Sequence, residues 1–242
     1  MKPARFDYVA AESLDEALNV LAQEGADACV LAGGQSLVAM LNMRLVKPKV
    51  VVDIARIPGF DSIDVCDKGI TVSAAATQRS LLVHPGLSST SPLLTQALPW
   101  VGHFQTRSKG TVCGSIAHAD PSSELPLCLA LLGGEVMLRS KRNARHIDAL
   151  DFQTGLLTTA RADDELIEAV RFPAAQAGAG YAFREFGYRH GDFAIVSVAV
   201  AASGHGLRIG VGGMTDRPEV RELPMLEGES LDDALNDLAW EL

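Results

Sequence analysis

Several features that mark particular classes of protein are scarce in this chain of 242 residues. Its four cysteines include no Cys-x-x-Cys pair, so the sequence offers no zinc or iron–sulfur site of its own. It contains no run of 18 apolar residues that could span a membrane, and the first residues, MKPARFDY, contain no apolar signal core. Scattered cysteines without a signal peptide favour a cytoplasmic protein with reduced thiols.

The chain is also poor in positively charged residues. The 21 Lys and Arg residues are outnumbered by 30 Asp and Glu residues, which leaves a net charge of −9. This balance argues against nucleic acid or an anionic membrane as a partner. Hydrophobic residues make up 48% of the chain, so a sizeable core can form in one large domain or in two to three small ones.

A first glycine pair interrupts a predicted strand–helix unit. The sequence predicts a buried strand at Ala28–Leu31, a turn at 33–34 and a helix from Leu37 to Arg44. Such a turn can place phosphate oxygens on backbone amides at a helix N-terminus, and Gln35 and Ser36 add neutral donors. The loop matches neither GxxxxGK[ST] nor GxGxxG, and a plain tight turn explains its glycines equally well.

A second glycine-rich stretch reads GTVCGSIAHADPSSELP, from Gly110 to Pro126. We expect a turn over 110–115, followed by a helix that begins at Pro121 or Ser122 and carries Glu124 in its first turn. Free amides in such a turn can form an anion-binding concavity. Taken alone, the stretch fits a surface turn that caps a helix equally well.

Together with VGHFQTR at 101–107 and RHGDFA at 189–194, these stretches resemble the FAD-binding medium subunit of the molybdenum hydroxylases, the family of xanthine and carbon monoxide dehydrogenases. The usual strings of that family are close to AGGQSL, VGHxQIRNRGTxGGSxAHADPxxELP and RxGDFA. The resemblance implies an α+β fold. Its FAD-binding part, of the vanillyl-alcohol-oxidase (PCMH) type, would comprise subdomains at 1–55 and 56–172, followed by a small C-terminal domain at 181–242 with a three-stranded sheet and a helix.

The resemblance also implies which residues bind FAD. Residues 32–36 would hold the pyrophosphate from one side, and Thr111, Gly114 and Ser115 from the other. Two carboxylates would lie along the flavin and accept hydrogen bonds from ribityl or ribose hydroxyls, because carboxylates beside phosphates would repel them. The full set is Ala32, Gly33, Gly34, Gln35, Ser36, Leu37, Thr77, Thr111, Gly114, Ser115, Asp120 and Glu124. No side chain is expected to be catalytic, and none to bind a metal.

Four positions need separate comment. Cys113 stands where the family usually has Gly, and Ala76 replaces the first Thr of the family's IGAxTT turn, which leaves Thr77 as a donor. Gln35 occupies a position where related flavin oxidases can have a His that carries the cofactor covalently, so we expect non-covalent FAD. His118 either approaches the flavin or is a hydrogen-bonding structural residue.

The function implied is that of an FAD-carrying, electron-transfer subunit of an oxidoreductase. A large molybdopterin-binding subunit would hydroxylate the substrate, and a small subunit with [2Fe–2S] clusters would pass electrons to FAD on this chain. An external acceptor would then receive them. A dimer of heterotrimers is the expected assembly. The alternatives are a self-contained FAD-dependent oxidase or reductase, and a nucleotide-binding assembly module without redox activity.

The C-terminal segment is expected to be short for the family. Ser230 caps a final amphipathic helix that runs to Leu242 with no stop signal. The family normally carries a further helical stretch at this point.

Overall fold

The structure, a computed structural model, describes residues 2–241. Its strands, in chain order, are β1 Asp7–Ala10, β2 Ala28–Leu31, β3 Val50–Asp53, β4 Ile63–Cys66, β5 Gly69–Ser73, β6 Glu135–Arg139, β7 Ala144–Asp148, β8 Gln153–Gly155, β9 Thr158–Thr159, β10 Leu166–Pro173, β11 Gly180–Phe186, β12 Val196–Ser203, β13 Gly206–Gly212 and β14 Glu219–Leu223. Its helices are α1 Leu14–Glu24, α2 Leu37–Met43, α3 Gln78–Leu82, α4 Leu87–Thr90, α5 Pro92–Ala97, α6 Phe104–Lys109, α7 Val112–His118, α8 Glu124–Leu132, α9 Ala149–Phe152 and α10 Glu229–Glu241. Across this described range, no helix is both long and apolar enough to cross a membrane.

The first sheet is parallel, in the order β1-β3-β2. Its central strand contributes the buried run 50–52, as expected for a strand covered on both faces. Between β1 and β2, α1 begins at Ser13, whose Oγ accepts from the Glu16 amide at 3.2 Å, and Glu16 Oε2 accepts from the Glu12 amide at 2.8 Å. The strand predicted at 28–31 is confirmed. The capping box from Ser13 to Glu16 predicts a helix over 14–24, and the run Val50–Asp53 predicts a strand; both are present as α1 and β3.

The second sheet is antiparallel, in the order β4-β5-β10-β6-β7. It contains the hairpin β6–β7 and the eight-residue strand β10. Against it packs α8, of which every residue from Glu124 to Leu131 is buried. Because α8 also contacts β12 and β13, it is the central apolar helix between the second and third sheets.

The third sheet is antiparallel and has four strands, β11-β12-β13-β14, rather than the three that we predicted. The missed strand, β14, has the sequence EVREL and lies at the edge of the sheet. Its charged residues interrupt the apolar alternation by which a strand is recognised in a sequence. Charged residues on an edge strand also prevent it from pairing with other chains. Arg208 faces Glu222 across this edge, with 3.3 Å between Nε and Oε1.

The last helix also differs from expectation in its first turn. Here α10 begins at Glu229, so Ser230 lies inside the helix rather than at its cap. The preceding Gly228 has φ +57°, a conformation that a side chain disfavours, and its carbonyl accepts from the amide of Asp232 at 3.1 Å. The predicted end at Leu242 lies outside the described residues.

One buried cluster joins the second and third sheets. It contains Phe172 of β10, Leu98 after α5, and Phe183 and Ala199 of the third sheet. The segment 174–179 between β10 and β11 is therefore a short connection between elements that share a core.

This shared core predicts the effect of removing one ring. We expect Phe183→Ala to lower the free energy of unfolding by about 3–5 kcal/mol, because the ring is 2% exposed and its removal leaves a cavity. Phe186 on the same strand is 66% exposed, so Phe186→Ala should cost no more than about 0.5 kcal/mol. Urea unfolding followed by circular dichroism measures both, and equal losses would contradict this packing.

Candidate cofactor cleft

A cleft of about 680 Å³ separates the loop before α2 from the segment around α7. Its volume lies within the range of about 300–1,000 Å³ typical of cofactor sites. Of the predicted FAD-binding residues, all but Thr77 and Asp120 line it: Ala32, Gly33, Gly34, Gln35, Ser36, Leu37, Thr111, Gly114, Ser115 and Glu124.

The first wall is the loop that joins β2 to α2. Gly34 has φ +71°, which favours glycine, and the chain then enters α2 without a side-chain cap from Ser36. Within residues 2–241, no protein group accepts a hydrogen bond from the backbone N–H groups of residues 34–37. Gln35 Nε2 donates to the Gly33 carbonyl at 3.1 Å. Four successive amides are therefore available to an anionic ligand.

Gly33 makes the closest approach between the two walls. A Cβ at this position would lie 2.2 Å from the Lys109 carbonyl oxygen and 2.8 Å from Gly110 Cα. No side chain fits in this gap unless one of the two segments moves. The first loop is therefore held directly against the turn between α6 and α7.

The second wall is a helix where we predicted a glycine-rich turn. Thr111 caps α7, and its Oγ1 accepts from the Gly114 amide at 3.0 Å. Cys113 lies inside this helix, is 3% exposed, and donates from Sγ to the Val72 carbonyl at 3.4 Å. The position therefore does not require glycine for its backbone conformation, and burial raises the pKa of the Cys113 thiol to about 12.

Thr77 does not reach the cleft, and its neighbour Gln78 does. Thr77 Oγ1 caps α3 by accepting from the Ser80 amide at 3.0 Å, whereas Gln78 lines the cleft and is 5% exposed. Gln78 Oε1 is buried without a hydrogen-bond partner within residues 2–241. Such an oxygen usually marks a missing water or ligand donor. The IGAxTT turn of the family indicates the Thr77 hydroxyl as the donor, so nothing in the sequence indicated Gln78.

Asp120 and Glu124 take different positions. Asp120 Oδ1 accepts from the Ser122 amide at 2.9 Å, closing a turn that delays the start of α8 to Glu124, later than predicted. Glu124 lines the cleft and is only 7% exposed. Burial raises the pKa of Glu124 to about 8, and the charges of Glu185 and Asp120 act in the same direction.

The third wall comes from the loop between β11 and β12, which carries the RHGDFA stretch. Gly191 has φ +87° and approaches His103 so closely that a Cβ would lie 2.6 Å from Nδ1. The ring of His190 packs on Trp100, with 4.7 Å between ring centroids. Asp192 and the 72%-exposed Phe193 then line the cleft. Sequence analysis quoted this stretch but assigned it no cofactor contact.

Arg107 fixes the segment on which that loop lies. Its Nη1 donates to the carbonyl oxygens of Pro99, Val101 and Gly102, at 3.2, 2.9 and 2.7 Å. Three carbonyls on one nitrogen hold the turn before α6 in a single conformation. The third wall contacts this turn at Gly191, so Arg107 positions that wall indirectly, by fixing the turn.

Further polar side chains line the cleft outside the predicted FAD-binding set. His118, which was left between two roles, lines the cleft together with Cys29 and Arg161. Arg161 Nη1 donates to the Ala162 and Glu165 carbonyls at 2.8 and 2.7 Å. Nothing in the local sequence marks Cys29 or Arg161, because only the packing of β2 beside the segment after β9 brings them to the cleft.

The family described as the FAD binding domain in molybdopterin dehydrogenase matches residues 4–175. The chain belongs to this family. It is an FAD-binding medium subunit of the molybdenum-hydroxylase type, and hence a subunit of an oxidoreductase. The predicted family, fold class and cofactor are confirmed.

Individual relatives agree with this assignment. The 6-hydroxypseudooxynicotine dehydrogenase complex subunit alpha of Paenarthrobacter nicotinovorans is 41% identical over 199 residues, which are 82% of this chain and 67% of the relative. The carbon monoxide dehydrogenase medium chain of Hydrogenophaga pseudoflava is 32% identical over 200 residues, 83% of this chain and 70% of the relative.

Solved structures agree as well. A carbon monoxide dehydrogenase structure from H. pseudoflava superimposes with a TM-score of 0.92 at 29% identity, covering 98% of this chain and 86% of that chain. Quinoline 2-oxidoreductase from Pseudomonas putida 86 gives a TM-score of 0.91 at 31% identity, covering 99% and 87%.

The gap at Gly33 predicts a sharp substitution effect. We expect Gly33→Ala to push the two walls apart and to weaken FAD binding by roughly 5- to 150-fold, since overpacking costs about 1–3 kcal/mol. Gly204, in the β12–β13 turn, has open space around its Cβ position, so Gly204→Ala should bind FAD normally. Titration of each purified apo-chain with FAD measures the effect, and equal affinities would refute the contact.

Proposed function

We propose that this chain holds FAD non-covalently as the electron-transfer subunit of a molybdenum hydroxylase. In this proposal FAD receives electrons from iron–sulfur clusters of a partner subunit and delivers them to an external acceptor. One observation carries the proposal: the two predicted glycine segments, 78 residues apart when measured from Gly33 to Thr111, converge on one cleft in a chain of this family.

The donor set of the cleft suits a dinucleotide. The free amides of residues 34–37 would hold one side of the pyrophosphate, and the region of Thr111, Gly114 and Ser115 the other. Gln78 Oε1 and the Glu124 carboxyl would accept hydrogen bonds from sugar hydroxyls. Thr77 and Asp120 are occupied in local turns, so a contact from either to FAD would require these turns to open.

Bound FAD would supply the redox chemistry, and the protein supplies position, electrostatics and exclusion of solvent. The amides of the first loop orient the cofactor without adding a titratable group. Phe193, at the mouth of the cleft, would cover one edge of the cofactor from water. Accordingly, no side chain of the chain is assigned a catalytic role.

The residue at position 35 predicts how FAD is attached. Gln35 lies in the first wall and has no nucleophilic atom, so we expect acid precipitation to release all FAD into the supernatant. Absorbance of the supernatant and of the washed, redissolved pellet measures the partition. Two thiols, Cys29 and Cys113, line the cleft. Cys113 is 3% exposed and burial raises its pKa to about 12, so Cys29 is the thiol to remove and Cys29→Ser provides the control. Yellow colour that stays with the wild-type pellet would contradict non-covalent binding.

Partner subunits follow from the same proposal. The relatives are named as subunits or chains of dehydrogenases, among them a complex subunit alpha and a medium chain. Near the mouth of the cleft, exposed aromatic side chains follow one another at Phe186, Tyr188 and Phe193, which are 66%, 88% and 72% exposed. Exposed apolar groups of this kind often mark an interface. We therefore propose a large molybdopterin-binding partner and a small iron–sulfur partner, in a dimer of heterotrimers.

We also propose that the complex lies in the cytoplasm. The four cysteines are free within the described residues, and two of them, Cys113 and Cys128, are buried. Reduced thiols suit the cytoplasm, where we place the complex.

Purification from the native host tests the assembly. We expect the tagged chain to recover two further polypeptides together with molybdenum and iron, measured by mass spectrometry and metal analysis. The chain produced alone should bind FAD and oxidise no organic substrate. If the isolated chain is metal-free and oxidises such a substrate, it is the self-contained oxidase. If it shows no flavin bands under any condition, it is the non-redox module.

A further inference from the structure

We propose that Gln78 determines specificity in the cofactor cleft: its buried Oε1 makes binding depend on one sugar hydroxyl of FAD next to the pyrophosphate. A ligand without that hydroxyl would leave the oxygen without a donor and would be rejected. The inference rests on the proposed function and deepens it, because it names the part of FAD that a side chain of the cleft recognises. Gln78 lies outside the family strings at 32–37 and 101–126.

The main chain of Gln78 is fixed independently of its side chain. The Gln78 amide donates to the Gly110 carbonyl at 2.9 Å, and the Val112 amide donates to the Ala76 carbonyl at 3.1 Å. These two bonds join the start of α3 to the second wall through backbone groups alone. A substitution of the Gln78 side chain therefore leaves this connection in place.

The hydrogen bonds of the side chain define which way its amide faces. Gln78 Nε2 donates to the Thr111 carbonyl at 3.5 Å, and because a carbonyl can only accept, the oxygen of the amide must lie on the other side. Gln78 is 5% exposed and lines the cleft, and its Oε1 has no hydrogen-bond partner within residues 2–241. An unsatisfied buried acceptor costs about 1–3 kcal/mol, so a donor is expected on the cleft side.

The position of this oxygen indicates which part of FAD can supply the donor. A Cβ on Gly110 would lie 3.0 Å from Gln78 Oε1, and a Cβ on Gly33 would lie 2.8 Å from Gly110 Cα. The oxygen is therefore beside the contact between the first two walls, which would hold the pyrophosphate between them. A phosphate oxygen cannot pair with it, because both are acceptors. The groups that flank the pyrophosphate in FAD are the ribityl chain and the ribose, and their hydroxyls can donate.

A side-chain acceptor in this place adds selectivity that backbone amides cannot supply. The free amides of residues 34–37 are satisfied by any ligand with phosphate oxygens. A buried group built to pair with a hydroxyl discriminates strongly against an analogue that lacks it, because the group is then left unpaired. Gln78 would therefore distinguish among ligands that share a pyrophosphate.

The test removes the hydroxyls from the ligand and the oxygen from the protein, separately and together. Dissociation constants of the full apo-chain are measured by quenching of flavin fluorescence for FAD and for two analogues. One analogue has hydrogens in place of the ribityl hydroxyls, and the other has 2′,3′-dideoxyribose on adenine. We expect the wild type to bind at least one analogue roughly 5- to 150-fold more weakly than FAD.

The substitution Gln78→Met then removes the oxygen and keeps the length of the side chain. For one analogue, the loss of affinity relative to FAD should be at least about fivefold smaller in this variant than in the wild type, because the hydroxyl no longer has a partner. The analogue that responds identifies the hydroxyl as belonging to the ribityl chain or to the ribose.

The matched control is Gln153→Met. Gln153 is also 5% exposed, its Oε1 also has no partner within residues 2–241, and its Nε2 donates to the Ala119 carbonyl at 2.7 Å, at the other end of α7. It does not line the cleft. This variant should keep the wild-type loss for both analogues, so a change common to both variants would be an effect of packing.

Circular dichroism establishes that each variant is folded. If the wild type binds FAD and both analogues equally, Gln78 reads no hydroxyl, and this result needs no substitution. Losses that are the same in Gln78→Met as in the wild type, or that change equally in Gln153→Met, would also overturn the role of Gln78 and leave the proposed function standing. A folded wild type that binds neither FAD nor the analogues would overturn both.

Discussion

The missing side chain at Gly33 is the constraint on which the cleft depends. Because the Lys109 carbonyl would lie 2.2 Å from a Cβ there, the two walls touch through their backbones. This contact ties the parallel first sheet to the α6–α7 turn, which is in turn bonded to the start of α3: the Gln78 amide donates to the Gly110 carbonyl at 2.9 Å. A single methyl group would disturb all three segments.

Backbone contact between the walls explains the kind of donors that the cleft offers. Chains that meet this closely cannot project side chains between them, so beside this contact the α2 loop offers backbone amides, of which those of residues 34–37 have no protein acceptor within the described residues. Amides carry a partial positive charge that does not titrate. In the proposed site, the charge at the pyrophosphate would therefore be independent of pH, and pH dependence would have to come from acids further along the cleft, such as Glu124.

Sequence patterns were sufficient where a local signal decides structure. The Ser13–Glu16 cap, the strand before Gly33 and the apolar run of α8 follow from spacing and turn chemistry, and all are present. The patterns failed where tertiary packing decides. A Gly-Ser sequence read as a turn is the start of α7 because Thr111 caps it, and β14 forms from a charged segment because β13 offers it an edge. Whether Thr77 or Gln78 reaches the cleft depends on which side chain caps α3, and residue types alone do not settle this.

The third sheet shows that a family motif does not reveal which contacts its residues make. The RHGDFA stretch identifies the family, yet its contribution in the fold is to lay Gly191 on His103 and to complete the cleft from outside the first two sheets. The strands that carry this loop also pair Glu185 with the buried Ser197, a pairing that depends on strand register and has no sequence signature. Arg107 and the contact at Gly191 hold this loop against the turn before α6. Because Glu124 itself lines the cleft, a change in its charge would act on a ligand directly, as a change in affinity.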